Sequence, residues 1–344
     1  MHLVSFERAR RAPPSGASIG AAGLGFEALE GVTQGSRRLG AVLGAGARAG
    51  CIVDLNRALA VKLASEDVGA PEAEARSLLP GDALGFLRRL PGAQGVAREV
   101  LAWVEAAVER YDAPDLVGAG VVVPRRSVRL AAPVPRPGKI VAVLSNYAGP
   151  GASERGSRPA LFLEAPCAVA GPEDDLVLPG GGAPQRFEGG LAAVIGRTAR
   201  DVAPEEALRC VAGYCVAIDF AASDPDAGGG ADLLARSRDG STLIGPALVT
   251  EDEIHDPQDL GIRVLLSREP VQLGRTKEMR FSVAELVAFA SARLTLEPGD
   301  LLLSGGLPCA ERAGRPLRDG DVVEVEIERL GKLPCYVRAA GSGA

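Results

Sequence analysis

Two carboxylates in apolar company are the residues of this chain best placed to do chemistry. Glu188 stands in Phe187-Glu188-Gly189-Gly190-Leu191, which runs on into an apolar stretch, and Asp219 stands in Ala217-Ile218-Asp219-Phe220. If the two meet about 4 Å apart, their repulsion at an effective dielectric of about 20 is roughly 4 kcal/mol. That is a large share of the ~5–15 kcal/mol that keeps a domain folded. A proton, a cation or an arginine must offset it. Histidine offers little, because the chain has 2: His2 at the start, and His255 in the polar stretch Asp252–Pro257, which reads as a loop. Neither is well placed as a general base. The 6 cysteines contain no Cys-x-x-Cys pair, so a structural zinc site is not expected. They read as reduced, packed thiols of a cytoplasmic protein.

The elements that must position these groups fall into two units. At 344 residues the chain exceeds a minimal domain. Residues 1–125 read as a small N-terminal α/β domain, with an irregular Gly/Ala/Arg-rich insertion over 7–36. Within it, Leu39–Leu43 and Cys51–Leu55 read as a hairpin around glycines. Asp82 reads as the N-cap of a helix stopped by Pro91-Gly92. Val96, Val100, Trp103, Val104, Ala107 and Tyr111 form the apolar stripe of a second helix. Residues 126–138 form a proline- and arginine-rich linker. From 139 to 340 short β-rich runs dominate, with helices expected at Pro204–Val211 and Val283–Leu294. Val322–Ile327 alternates as a half-buried strand. The class is α+β, mostly β, with a rolled or barrel-like sheet. A net charge of −6 argues against nucleic-acid or anionic-membrane partners. No apolar run nears the ~18 residues that cross a bilayer, and Met1–Phe6 does not read as a signal peptide.

In order along the chain come Pro137-Gly138-Lys139-Ile140, Asn146-Tyr147, Leu161-Phe162-Leu163, Phe187-Glu188-Gly189 and Ala212-Gly213-Tyr214 with Asp219. Gly245-Pro246, Phe281-Ser282-Val283-Ala284-Glu285-Leu286, Leu296-Glu297-Pro298-Gly299-Asp300 and Gly320–Val325 follow. This collinear set resembles the fumarylacetoacetate hydrolase family, two-domain bacterial type. The resemblance implies a mixed β-sandwich roll, commonly dimeric. It implies Mg²⁺- or Mn²⁺-dependent hydrolysis, decarboxylation or isomerisation of β-diketo and 2-oxo acids, with Glu188 and Asp219 as metal ligands. It also implies a substrate pocket that includes Asn146, Tyr147, Ser304 and Gly305.

The departures from the family pattern cluster on that machinery. The second metal-binding Glu is Gly190, and the histidine of Asn-Tyr-x-x-His is Pro150. The acidic residue that follows aligns with Ser153, with Glu154 one step on. One family lysine is Glu164 and another is Arg236, and the Thr-Gly-Thr-Pro loop reads Ser304-Gly305-Gly306-Leu307-Pro308. Arg236, Glu154 and Glu164 are therefore the remaining candidates for catalytic roles. Either Arg236 or Arg186 could take over the electrostatic role of the metal.

The expectation is a non-catalytic or strongly diverged relative that binds no metal, or binds Mg²⁺ or Mn²⁺ weakly. It would form a homodimer, or a heterodimer with an active homologue, and could hold a small carboxylate. The alternatives are an active divalent-metal hydrolase or lyase with a rebuilt site, and metal-free isomerisation with Arg236 holding a carboxylate.

Overall fold

The computed structural model describes residues 1–8, 37–44, 48–111, 113–147, 158–178, 185–222, 236–308 and 315–339. In the N-terminal unit, β1 (His2–Arg8), β2 (Arg38–Val42) and β3 (Ile52–Asp54) form an antiparallel ladder, with Val42 opposite Ile52 in the expected hairpin. Glu7 and Arg8, assigned above to the insertion, are the last residues of β1, and 9–36 lie outside the described residues. The strand expected to reach Leu55 stops at Asp54, whose carboxylate caps α1 (Leu55–Ser65) by accepting from Arg57 N. Next come α2 (Pro71–Leu78), α3 (Ala83–Leu87), α4 (Gly92–Tyr111) and α5 (Pro114–Gly118). Asp82 caps α3; of the expected apolar stripe of α4, Val100 and Val104 are buried, Val96, Trp103 and Ala107 are partly buried, and Tyr111 is exposed because it ends the helix. The unit closes with β4 (Val122–Val123) and β5 (Val128–Ala131); β5 lies inside the expected linker and pairs with β1.

The C-terminal unit contributes β6 (Ile140–Leu144), β7 (Ala160–Glu164), β8 (Val169–Ala170), β9 (Leu176–Val177) and β10 (Gln185–Ile195). A short α6 (Pro204–Ala207) precedes β11 (Val211–Ala222) and β12 (Thr242–Thr250). Then follow β13 (Gly261–Leu266), β14 (Glu269–Arg275), α7 (Val283–Ser291), β15 (Leu301–Pro308), β16 (Val322–Ile327) and β17 (Gly331–Arg338). The large sheet runs β4-β3-β2-β1-β12-β11-β10-β15-β6-β7, so the N-terminal ladder continues directly into the C-terminal one at β1 and β12. After β7 the chain turns into β8, which pairs in parallel with β12. The arc from β12 to β7 is thereby drawn round on itself, and the end of β7 faces the start of β12. The sheet is mixed: β15 runs parallel to β6 as β8 does to β12.

A second sheet, β14-β13-β16-β17-β9, covers one face of the large sheet. Phe187, Leu191, Ile218 and Phe220 pack between the two against Val264, Val325 and Leu333. The sheets approach so closely that a Cβ on Gly189 would stand 2.5 Å from Val325. The opposite face packs Ala192, Val194, Ala217 and Leu303 beneath α1, α3 and α4. Successive residues of a strand point to opposite faces, so Glu188 and Gly190 share this helix-covered side with Ala192 and Val194.

Two of the framework motifs prove to be clamps. The buried Asp300 carboxylate accepts from Lys139 N at 3.0 Å and Glu297 N at 2.7 Å, and pairs with the Lys139 ammonium. That ties the Pro-Gly-Lys start of β6 to the Glu-Pro-Gly-Asp start of β15, where the two strands pair in parallel. Ser282 and Glu285 form a reciprocal capping box at the start of α7. Asp300→Ala strands a buried N–H pair and a lysine, so it should lower the unfolding free energy by about 3 kcal/mol, with Asp300→Asn costing less. Urea titration of the three proteins measures the ranking.

Candidate active site

Glu188 on β10 and Asp219 on β11 are directly opposite in register, as Phe187 is opposite Phe220 on the other face. The phenyl rings tilt together at 6.2 Å between centroids and fix that register from the core side. The closure of the roll then brings in Glu164 and Phe162 from β7, Thr242 from β12, and Arg236 just ahead of β12. Glu164, the last residue of β7, is 2 % exposed and accepts a hydrogen bond from Thr242 Oγ1 at 2.9 Å. Thr242 pairs with Asp219 across β12 and β11, which places the Glu164 carboxyl beside that of Asp219. Arg236 Nη1 donates to Asp219 Oδ2 at 2.9 Å, both side chains being largely buried. Its guanidinium carbon lies 4.8 Å from the centre of the Phe162 ring, a cation–π contact that holds the plane of the group.

The electrostatics follow from this crowding. Burial chiefly, and then the charge of Asp219, push the Glu164 carboxyl from 4.5 up to about 8. Asp219 is also raised by burial, against the pull of Arg236 and with a push from Glu188. Glu164 Oε1 and Asp219 Oδ1 are sealed from solvent, with no hydrogen-bond partner among the described residues. Burial thus favours the neutral form of the Glu164 carboxyl beside an Asp219 that is paired with Arg236.

A divalent ion does not fit this arrangement. Gly190 is where the family pattern has its second Glu, and a Cβ there would stand 2.2 Å from the Gly305 carbonyl oxygen. β15 lies directly against that space, with Gly190 opposite Gly306. The adjoining cavity, lined by Ala142, Glu188, Gly190, Asp219 and Gly305, measures about 10 Å³. It can hold one water at most, whereas Mg²⁺ usually keeps several. Among the described residues no three His, Cys, Asp or Glu side chains are grouped to hold a metal, and the Arg236 cation is already seated on Asp219.

The other expected residues are placed as follows. Asn146 is 1 % exposed, and its amide is committed inside the fold. Nδ2 donates to the carbonyls of Phe281 and Ser304 at 3.0 and 2.8 Å, and Oδ1 accepts from Phe281 N at 2.9 Å. It braces the end of β6 to β15 and offers no free polar group to a ligand. Tyr147 is buried in the core between the sheets, and burial raises its phenol well above the usual range. The Ser304 hydroxyl makes one long contact to the Gly305 carbonyl, and Gly305 adopts φ +75°, a left-handed conformation that glycine takes without strain. Glu154 and Pro150 lie outside the described residues, as does the Arg186 side chain. Two members of the cluster, Thr242 and Phe162, were not singled out from sequence. Phe162 lies within Leu161-Phe162-Leu163, but only the closure of the roll makes it the platform under Arg236.

A sequence profile described as fumarylacetoacetate (FAA) hydrolase C-terminal matches residues 139–338. The chain is 34% identical over 284 residues to a maleylpyruvate hydrolase of Aquipseudomonas alcaligenes, covering 77% of this chain and 92% of the relative. It is 35% identical over 263 residues to the mitochondrial oxaloacetate tautomerase Fahd2a of Rattus norvegicus, covering 74% and 79%. The crystal structure of maleylpyruvate hydrolase from Sphingobium sp. SYK-6 superposes with a TM-score of 0.67 at 25% identity over 98% of this chain and 100% of that one. The same enzyme has been solved with manganese(II) and pyruvate.

A carboxyl whose pKa is raised on folding binds its proton more tightly in the folded state. Its contribution is therefore full below pH 4.5 and is lost as pH climbs toward about 8. In EDTA, the wild-type unfolding free energy should fall between pH 5 and pH 8 by a few kcal/mol more than that of Glu164→Gln. Paired urea titrations at the two pH values measure that difference; equal slopes would mean that Glu164 is not held protonated.

Proposed function

The chain belongs to the fumarylacetoacetate hydrolase family, and we propose that it is a strongly diverged member that has given up metal-dependent cleavage of acylpyruvate-type carbon–carbon bonds. One observation carries this reading: the position of the missing carboxylate is filled by the Gly305 carbonyl, while Arg236 occupies the remaining acidic partner. In a metal-loaded site the dication supplies Lewis-acid polarisation of the oxo-acid and activation of water. Here a guanidinium supplies positive charge but no open coordination position, and an arginine stays protonated and cannot act as a base. The reading carries with it no Mg²⁺ or Mn²⁺ requirement, a cytoplasmic location, and assembly as a homodimer or with an active homologue. No helix among the described residues is long and apolar enough to cross a membrane.

A second reading, an active divalent-metal hydrolase or lyase, is favoured by the two sealed carboxyl oxygens of Glu164 and Asp219. It requires Arg236 to leave Asp219 before an ion could enter.

Purified protein should release no pyruvate from maleylpyruvate, and turn over no oxaloacetate, above the rate of the Mn²⁺ solution alone. Calorimetric titration with millimolar Mn²⁺ should give no saturable heat. Stoichiometric Mn²⁺ binding with turnover that Glu188→Ala and Asp219→Ala abolish would establish the second reading instead. Restoring the family residue should not rescue the site: Gly190→Glu must displace the β15 backbone, and should destabilise the fold by about 3 kcal/mol without creating Mn²⁺ affinity. Thermal melts with and without Mn²⁺ report both effects.

A further inference from the structure

We propose that a cavity at the rim of the roll, lined by Arg197, Arg209 and Tyr214, is a binding site for a small phosphate monoester with a hydroxylated body. The site shares no residue with the acidic cluster and does not depend on whether a metal binds there.

The cavity measures about 450 Å³, within the ~300–1,000 Å³ that small-molecule sites occupy. Both units build its walls: Gln94 of α4, Arg197 just after β10, Arg209 ahead of β11, Tyr214 on β11 and Glu251 just after β12. The backbone brings the two arginines together. Gly196 N and Arg197 N both donate to the Cys210 carbonyl, at 2.8 and 3.1 Å, and Arg209 is the residue before Cys210. Among the described residues the Arg197 guanidinium makes no hydrogen bond or ion pair, and that of Arg209 meets Glu206 alone. Most of their N–H donors, five on each fork, are therefore unused. Tyr214 separates this cavity from an ordinary surface cleft. Its side chain is 2 % exposed and its ring packs in the core between the sheets. The hydroxyl nevertheless has no hydrogen-bond partner among the described residues, and it is not sealed from solvent. A buried tyrosine usually finds a partner for its O–H; here that donor is left at the cavity wall.

The donors set the class of ligand. Two guanidinium forks and a phenol, each on a different stretch of chain, call for an anion with acceptors in several directions. A phosphate monoester presents three strong acceptor oxygens, whereas a carboxylate presents two in one plane. Burial above all, and then the charges of Glu251 and Asp256, hold the Tyr214 phenol above its usual range, so it meets the anion as a neutral donor. The acid on the wall selects the rest of the molecule. Glu251 accepts from Gln94 Nε2 through both oxygens at 3.3 Å, and each carboxylate oxygen has lone pairs to spare. A hydroxyl of the ligand can donate to it, while a second anionic group would be repelled.

The test is isothermal titration in EDTA with two phosphate monoesters, glucose 6-phosphate and AMP, and with glucuronate as the carboxylate counterpart of the first. Wild type should give one-site saturable heat with at least one of the esters, and glucuronate should bind more weakly than that ester. Arg197→Gln should weaken the bound ester at least ~10-fold. Arg263→Gln, at an exposed arginine of β13 outside the cavity, should leave it unchanged. Tyr214→Phe keeps the packed ring and should weaken the ester several-fold. Because the hydroxyl has no partner inside the protein, the same variant should melt with wild type when no ligand is present. Silence toward both esters overturns the proposal, as do equal affinity for glucuronate, unchanged binding in Arg197→Gln and an equal loss in Arg263→Gln. A lower ligand-free melt of Tyr214→Phe also overturns it, by showing that the hydroxyl serves the fold.

Discussion

Three acidic side chains converge inside a closed roll of sheet, and a protein can hold them there only by neutralising charge on the spot. The strands themselves force the convergence. Glu188 and Asp219 are opposite one another because Phe187 and Phe220 pack on the far face, and Glu164 arrives because β8 must reach β12. None of these placements can relax without opening the core between the sheets. Among the described residues, Arg236 pairs with Asp219, while Thr242 donates to the Glu164 carboxyl, which burial pushes toward its neutral form. In water such pairs are weak, but inside a low-dielectric pocket an unpaired charge is costly. The ion pair is therefore a condition for this site to exist.

The framework was legible where the chain uses short, local devices. Asp82 and Ser282 cap helices within a few residues of themselves, and the alternation of Val322–Ile327 follows from one buried face. Pro-Gly-Lys and Glu-Pro-Gly-Asp were readable as motifs, although only the fold shows why they occur together: Asp300 binds the backbone of both. The edges of the sheets were harder to read. Only the last two residues of β1, Glu7 and Arg8, read as part of a glycine-rich insertion, because the strand's pairing partners β2, β5 and β12 lie far off in sequence. α1 is hard to read because Ile52–Leu55 is equally apolar as strand or helix until Asp54 is seen to cap the latter.

The site was legible in part. The departures from the family pattern could be read one by one, and they meet at one place through strands whose register no single motif encodes. Thr242 carries no chemical signal in sequence, and its role depends on facing the end of β7. Asn146 shows the opposite case. A polar residue in a family motif invites assignment to a pocket, yet its amide is consumed in bracing β6 against β15. A motif of this kind can therefore serve a mechanical role, whatever chemistry accompanies it.

The continuous ladder from β2 through β1 to β12 has a bearing on motion. In a two-lobed protein whose lobes meet only through side chains, a cleft can open by rotation about a hinge. Here His2 and Leu3 are hydrogen-bonded into the same sheet as the acidic cluster, and the N-terminal helices share a core with Ala217 and Leu303. Rotation of one lobe would tear that ladder and expose apolar surface. Any motion that exposes the acidic cluster must therefore leave the pairing of β1 with β12 intact.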